Sequence, residues 1–94
     1  MSIKLKEFQV YKLRVGLPIR KFGEKASTFE TKYGMTVAGS YVWLDQISDG
    51  CAVFHLFGED LINLYVEIPI IWTNDCLEMV LDKHGNPEIV KEIE

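Results

Sequence analysis

Residues 37–68, VAGSYVWLDQISDGCAVFHLFGEDLINLYVEI, decide the fold. The stretch reads as three antiparallel strands joined by two tight turns. Ser48-Asp49-Gly50 puts a glycine where a three-residue hairpin loop needs a positive φ. Gly58-Glu59-Asp60 interrupts the apolar runs a second time. Two three-residue loops set Ile47 opposite Cys51 and Phe57 opposite Leu61. The register then carries Trp43 to His55, His55 to Asn63, and Val53 to Tyr65.

Side chains along a strand alternate between its two faces. One face therefore carries Val42 and Leu44, then Ala52, Phe54 and Leu56, then Ile62, Leu64, Val66 and Ile68, with no charge among them. This is the core face. The other carries Tyr41, Trp43, Asp45, Cys51, Val53, His55, Phe57, Asn63, Tyr65 and Glu67, a mixture of aromatic and polar groups. A slip of one residue in either hairpin would move a whole apolar ladder into water. At about 1.5–3 kcal/mol for each large side chain, the alternation pins the assignment.

Outward from this meander the signals weaken. In IKLKEFQVYKLRV the apolar phase shifts from Ile3 and Leu5 to Phe8 and Val10, then to Tyr11, Leu13 and Val15. That pattern predicts one bent or bulged strand, or two short ones. Gly16, Pro18 and Gly23 mark the next segment, GLPIRKFGEKAS, as an irregular basic loop with Phe22 tucked beneath it or presented for stacking. Phe29, Thr31 and Tyr33 alternate with charged residues, which predicts a strand over 27–33. Pro69 lacks a ladder donor and belongs at an edge, a bulge or a strand end. Beyond it, CLEMVLDKHGNPEIVKEIE reads as a hairpin turning at His84-Gly85, with Val80 opposite Ile89 and Glu78 opposite Lys91. A helix capped by Asp75 is the competing reading. The expected fold is mostly β: a small antiparallel curled sheet or partly open barrel of five to seven strands. One short helix is allowed, which is the α+β alternative.

Ninety-four residues suit one domain, 1–94, with a single core. No apolar run is long enough for a membrane span, and Lys4, Lys6 and Glu7 interrupt the start too early for a signal peptide. Cys51 and Cys76 form no disulfide framework, so a cytoplasmic protein with reduced thiols is expected. Charge is uneven. Residues 1–33 hold eight basic residues against three acidic, and residues 34–94 hold two against eleven, so the parts carry +5 and −9 of the chain's net −4. Such a division serves local neutralisation, a nucleic-acid surface or head-to-tail self-association.

Three function classes follow. Trp43, Tyr41 and Tyr65 beside His55, flanked by Asn63 and Glu67, form a compact patch of the kind that anchors a protein partner. The leading expectation is a small non-enzymatic protein-interaction or self-assembling β module, a homo-oligomer or the accessory protein of a mobile element. The first alternative is a nucleic-acid-binding β-barrel using Lys12, Arg14, Arg20, Lys21, Lys25 and Lys32. The second is a small enzyme or ligand-binding protein in which His55, held by Asn63 or Glu67, serves as a general acid or base. Cys51-x-x-x-His55, with Cys76 and His84, lacks the tight Cys-x-x-Cys pairs of structural zinc sites. No metal, cofactor or catalytic residue is therefore assigned. Gln46-Ile47-Ser48-Asp49-Gly50-Cys51 is faintly similar to the Asp-x-Ser-x-x-Gly segment of PilZ cyclic-dinucleotide receptors. Gln46 and Cys51 replace that motif's first and last residues and its Arg-x-x-x-Arg element is missing, so no family is claimed.

Overall fold

The computed structural model describes residues 3–23, 33–58, 61 and 63–89. Three long strands form its centre, as the alternation requires: β3 (Tyr41–Ser48), β4 (Cys51–Leu56) and β5 (Leu64–Pro69). β1 (Val10–Leu13) lies beside β3, and β2 (Arg20–Lys21) borders β5. β5 leaves through a 3-10 turn (Ile70–Trp72) into the one-turn helix α1 (Thr73–Cys76), which leads to β6 (Leu77–Met79) at the far edge. The result is one antiparallel sheet, β2-β5-β4-β3-β1-β6, that does not close into a barrel. No helix among the described residues is long and apolar enough to cross a membrane.

Val42, Leu44, Ala52, Phe54 and Val66 are fully buried on the expected face, with Ile68 and Leu56 nearly so. Tyr11 and Leu13 of β1 and Leu77 of β6 extend this layer. Tyr11 meets Phe54 edge-on at 5.8 Å between ring centres. Its hydroxyl donates to the Lys4 carbonyl at 2.7 Å and accepts from the Lys6 N–H at 3.0 Å. The N-terminal segment is thereby tied across the core face, where Ile3 and Leu5 pack.

The two central hairpins differ from expectation in instructive ways. Asp49 and Gly50 both take positive φ, 52° and 77°, the pairing that a two-residue type I′ turn needs. Ser48, not Ile47, therefore faces Cys51. A β-bulge between Leu44 and Gln46 absorbs the extra residue, Asp45, and restores Trp43 opposite His55. Between Asp45 and Ser48 the even–odd rule consequently reverses. In the second hairpin His55 faces Tyr65 rather than Asn63, and Val53 faces Glu67 rather than Tyr65. Leu61 leaves the ladder, donating its N–H to the Gly58 carbonyl at 3.1 Å while its side chain packs on the core. A shift of two residues keeps every side chain on its face.

The flanks follow the same logic. Phe8, at φ 68°, takes up the phase shift in the N-terminal strand. The segment expected as an irregular loop contains β2, because Arg20 and Lys21 pair with Tyr65 and Leu64. The strand expected over 27–33 lies outside the described residues apart from Tyr33. Pro69 ends β5. The C-terminal hairpin forms, with Leu81 bridging Pro87 and Val80 accepting from the Glu88 N–H at 2.8 Å. Val80 thus faces Glu88 instead of Ile89. Lys91 lies outside the described residues. The helical alternative shrinks to α1, ahead of the hairpin.

Two outcomes check this packing. Phe54→Ala is expected to cost about 3–5 kcal/mol in urea unfolding, because it empties the centre of the layer. Burial raises the Tyr11 phenol above its ordinary value of 10, against the weaker lowering effect of its Lys6 hydrogen bond. The folded state then holds this proton more tightly than the unfolded chain. Stability is complete below pH 10 and falls as pH rises through the folded value. Tyr11→Phe should flatten that alkaline loss, and an unchanged alkaline profile would refute the assignment.

Candidate functional site

The face opposite the core is built around a row of rings. Trp43, His55 and Tyr65 are cross-strand neighbours on β3, β4 and β5, so their side chains stand side by side. Trp43 and His55 stack with centroids 4.4 Å apart and planes 13° from parallel. Phe8 continues the row beyond Trp43 at 6.0 Å. Phe22, carried just past β2, lies 4.3 Å from Tyr65 and 5.1 Å from His55. Phe22 is thus a ring of this row. The bulge adds a charge to it: Asp45 Oδ2 sits 3.2 Å from His55 Nε2.

Of the residues expected to form a partner patch, Tyr41 is half exposed, at 51%. Trp43, His55 and Tyr65 are half-buried, and Asn63 and Glu67 are exposed. The face is partly covered by Phe8 and Phe22. Asn63 accepts the Phe22 N–H through its carbonyl at 2.9 Å, which anchors the covering ring. His55 has Asp45 as its acidic partner, in place of the expected Asn63 or Glu67.

The basic residues do not gather at one place. Lys12 lies over the Tyr41 ring at 5.9 Å, and Lys21 lies over the Tyr33 ring at the same distance. β1 and β2, which carry Lys12 and Arg20, are separated by three strands, or about 19 Å at the usual strand spacing. Asp45 and Glu67 stand on the face between them. Arg14 is exposed beyond β1. Lys25 and Lys32 lie outside the described residues. As for chemistry at sulfur, burial and then the adjacent Asp75 carboxylate push the Cys76 thiol up, which keeps it protonated at neutral pH.

A second feature had no periodic signature in the sequence. Leu17–Ile19 and Gly34–Thr36 run antiparallel: the Thr36 N–H donates to the Leu17 carbonyl at 2.8 Å, and the Ile19 N–H to that of Gly34 at 3.0 Å. Gly16 makes the approach possible, because a Cβ there would lie 2.7 Å from the Thr36 carbonyl oxygen. The chain then turns through Val37, whose carbonyl accepts from the Ser40 hydroxyl at 2.7 Å. This fastened loop forms one wall of an apolar groove of about 960 Å³. Tyr41 at the start of β3 and Phe57 after β4 form another, and Val80 and Ile89 of the C-terminal hairpin a third. Met35 is 54% exposed, Val37 70% and Phe57 46%. His55 is not among its lining residues.

Comparison with protein-family models, with curated proteins and with solved structures finds no match to this chain. The geometry of the ring row is checked by two substitutions. His55→Phe keeps the stack and loses only a partly solvated imidazole–carboxylate contact, so it should stay within about 1 kcal/mol of wild type. His55→Ala loses contacts to both Trp43 and Phe22 and should cost about 1–3 kcal/mol in chemical denaturation. Equal losses would show that stacking does not hold the row.

Proposed function

We propose that this chain is a small non-enzymatic protein-interaction or self-assembling β module whose contact surface is the groove bordered by Tyr41. The observation that supports the reading is the groove itself: large aliphatic and aromatic side chains left in water on walls fastened by main-chain hydrogen bonds. A contiguous apolar surface of this kind marks a binding site more often than it decorates a monomer. Rigid walls lose little conformational entropy when a partner docks. Tyr41 belongs both to the groove and to the expected partner patch, and Lys12 above its ring gives the rim a positive charge. The ring row of Trp43, His55 and Tyr65 serves this reading as a stiff platform beneath that rim.

The nucleic-acid reading has less support, since acidic Asp45 and Glu67 stand between its basic groups. The enzymatic reading has the His55–Asp45 pair, but that pair lies outside the groove.

Sedimentation velocity at two ionic strengths, together with capture from an extract of the native host, tests the proposal. Association or a captured partner is expected, and Val37→Asp should weaken it about 30-fold or more without moving the melting temperature. A concentration-independent monomer that captures no protein would overturn the reading.

A further inference from the structure

We infer that the outer edge of β6 is a second contact surface, separate from the groove, that takes an extended peptide strand carrying lysine or arginine. β6 is the end strand of the sheet, and the chain stays extended past it to Leu81. The ladder shows where its main-chain groups point. The Arg14 N–H donates to the Cys76 carbonyl at 2.7 Å, so the bonds to β1 fall on Cys76 and Glu78 and skip the residues between. The carbonyls of Leu77 and Met79 and the Met79 N–H therefore face away from the sheet, while the Leu77 N–H is taken by Thr73. Farther on, the Glu88 N–H donates to Val80 and the Asp82 N–H to Asn86, which turns the N–H and carbonyl of Leu81 outward as well. Among the described residues nothing bonds to this outward row.

The side chains fit an added strand. Leu77, Met79 and Leu81 alternate onto the core face, where Leu77 is buried. Met79 is 37% exposed and Leu81 56%. One further strand would cover both and satisfy the outward groups in the same step. Sheets usually blunt a free edge with a very short strand or with lysines. The opposite edge does so, since β2 is the pair Arg20–Lys21. From Leu77 to Leu81 there is no basic residue and no proline. Charge then names the occupant. Asp75 and Glu78 are exposed and Asp82 is half-buried along this row, against Lys83 alone. Lys12 stands opposite Glu78, but its ammonium lies over the Tyr41 ring at 5.9 Å, and Glu78 has no salt bridge among the described residues. A second copy of the same edge would set acid against acid. A strand with apolar residues on one side and lysine or arginine on the other complements the row. Main-chain bonds then supply affinity, and the alternate side chains supply selectivity.

Titration calorimetry with a synthetic heptapeptide of alternating Val and Lys tests the inference. The folded chain should bind it, and more weakly as salt rises. Added antiparallel, like every pair in this sheet, the peptide points its Val N–H groups at β6. N-methylation at the Val residues, or Glu in place of Lys, should therefore weaken binding about tenfold or more. Met79→Pro removes an N–H that faces solvent, a place where an edge tolerates proline, and should cause a similar loss. Glu78→Lys leaves the backbone alone and should shift the preference to the Val/Glu peptide. Absence of binding, equal binding of the N-methylated peptide, or an unchanged preference in Glu78→Lys would overturn the inference. So would a wild-type chain that associates with itself through Met79. Val37→Asp should leave peptide binding intact; a loss there would place the peptide in the groove and strike out the edge.

Discussion

The side-by-side burial of Leu44, Phe54 and Val66 across three adjacent strands is the contact from which the rest of the structure follows. Each is fully removed from water, and each has neighbours on its own strand that share the same face. Because strand side chains repeat every second residue, this one commitment also decides which residues cannot be in the core. Trp43, His55 and Tyr65 are sent together to the opposite face by the same parity. The ring row is thus a consequence of the core.

The bulge at Asp45 shows how two demands on one hairpin are reconciled. Asp49-Gly50 is well suited to a two-residue turn, yet with regular pairing that turn would put Trp43 opposite Phe54's even-numbered neighbour Leu56 instead of His55. One extra residue in β3 removes the conflict. It also places a carboxylate against His55, which a regular strand would not do. A local irregularity thereby supplies the charge partner that the expected Asn63 and Glu67 do not.

The alternation in Val42–Leu56 and Leu64–Ile68 was readable because it reports a large burial energy spread over many side chains. It identified the core face and the antiparallel order, whereas the Trp43–His55 pairing was read from a three-residue loop that the structure replaces with a two-residue turn and a bulge. Shifts of two residues were invisible to it, since they leave both faces unchanged, and this is why His55 was assigned to Asn63 instead of Tyr65. β2 was invisible for a different reason. Its two residues are both basic, and only the exposed edge of β5 makes them a strand. Phe22 looked like a loop residue because nothing local shows that Tyr65 lies beneath it. The groove was hidden most completely, since Met35, Val37, Val80 and Ile89 come from segments distant in sequence and obey no common period.

What escapes periodicity is also where the apolar surface is left open. Within the strands most large apolar side chains are covered, and among the described residues Tyr41, Ile47 and Met79 are the exposed ones. At the strand ends the chain must turn, and alternation no longer dictates which side chains are covered. Ile71 and Trp72 at one end of β4 and Val37 and Phe57 at the other are exposed at such turns. Solvation alone would favour polar residues at all four positions. The hydrogen bonds that hold both turns rigid, from Ile70 to Gly50 and from Ser40 to Val37, cannot lessen that exposure; they maintain it. Apolar side chains are thus fastened in water at two separate places, the Ile70–Trp72 turn and the loop through Val37, by the same main-chain and hydroxyl hydrogen bonds that shape the turns.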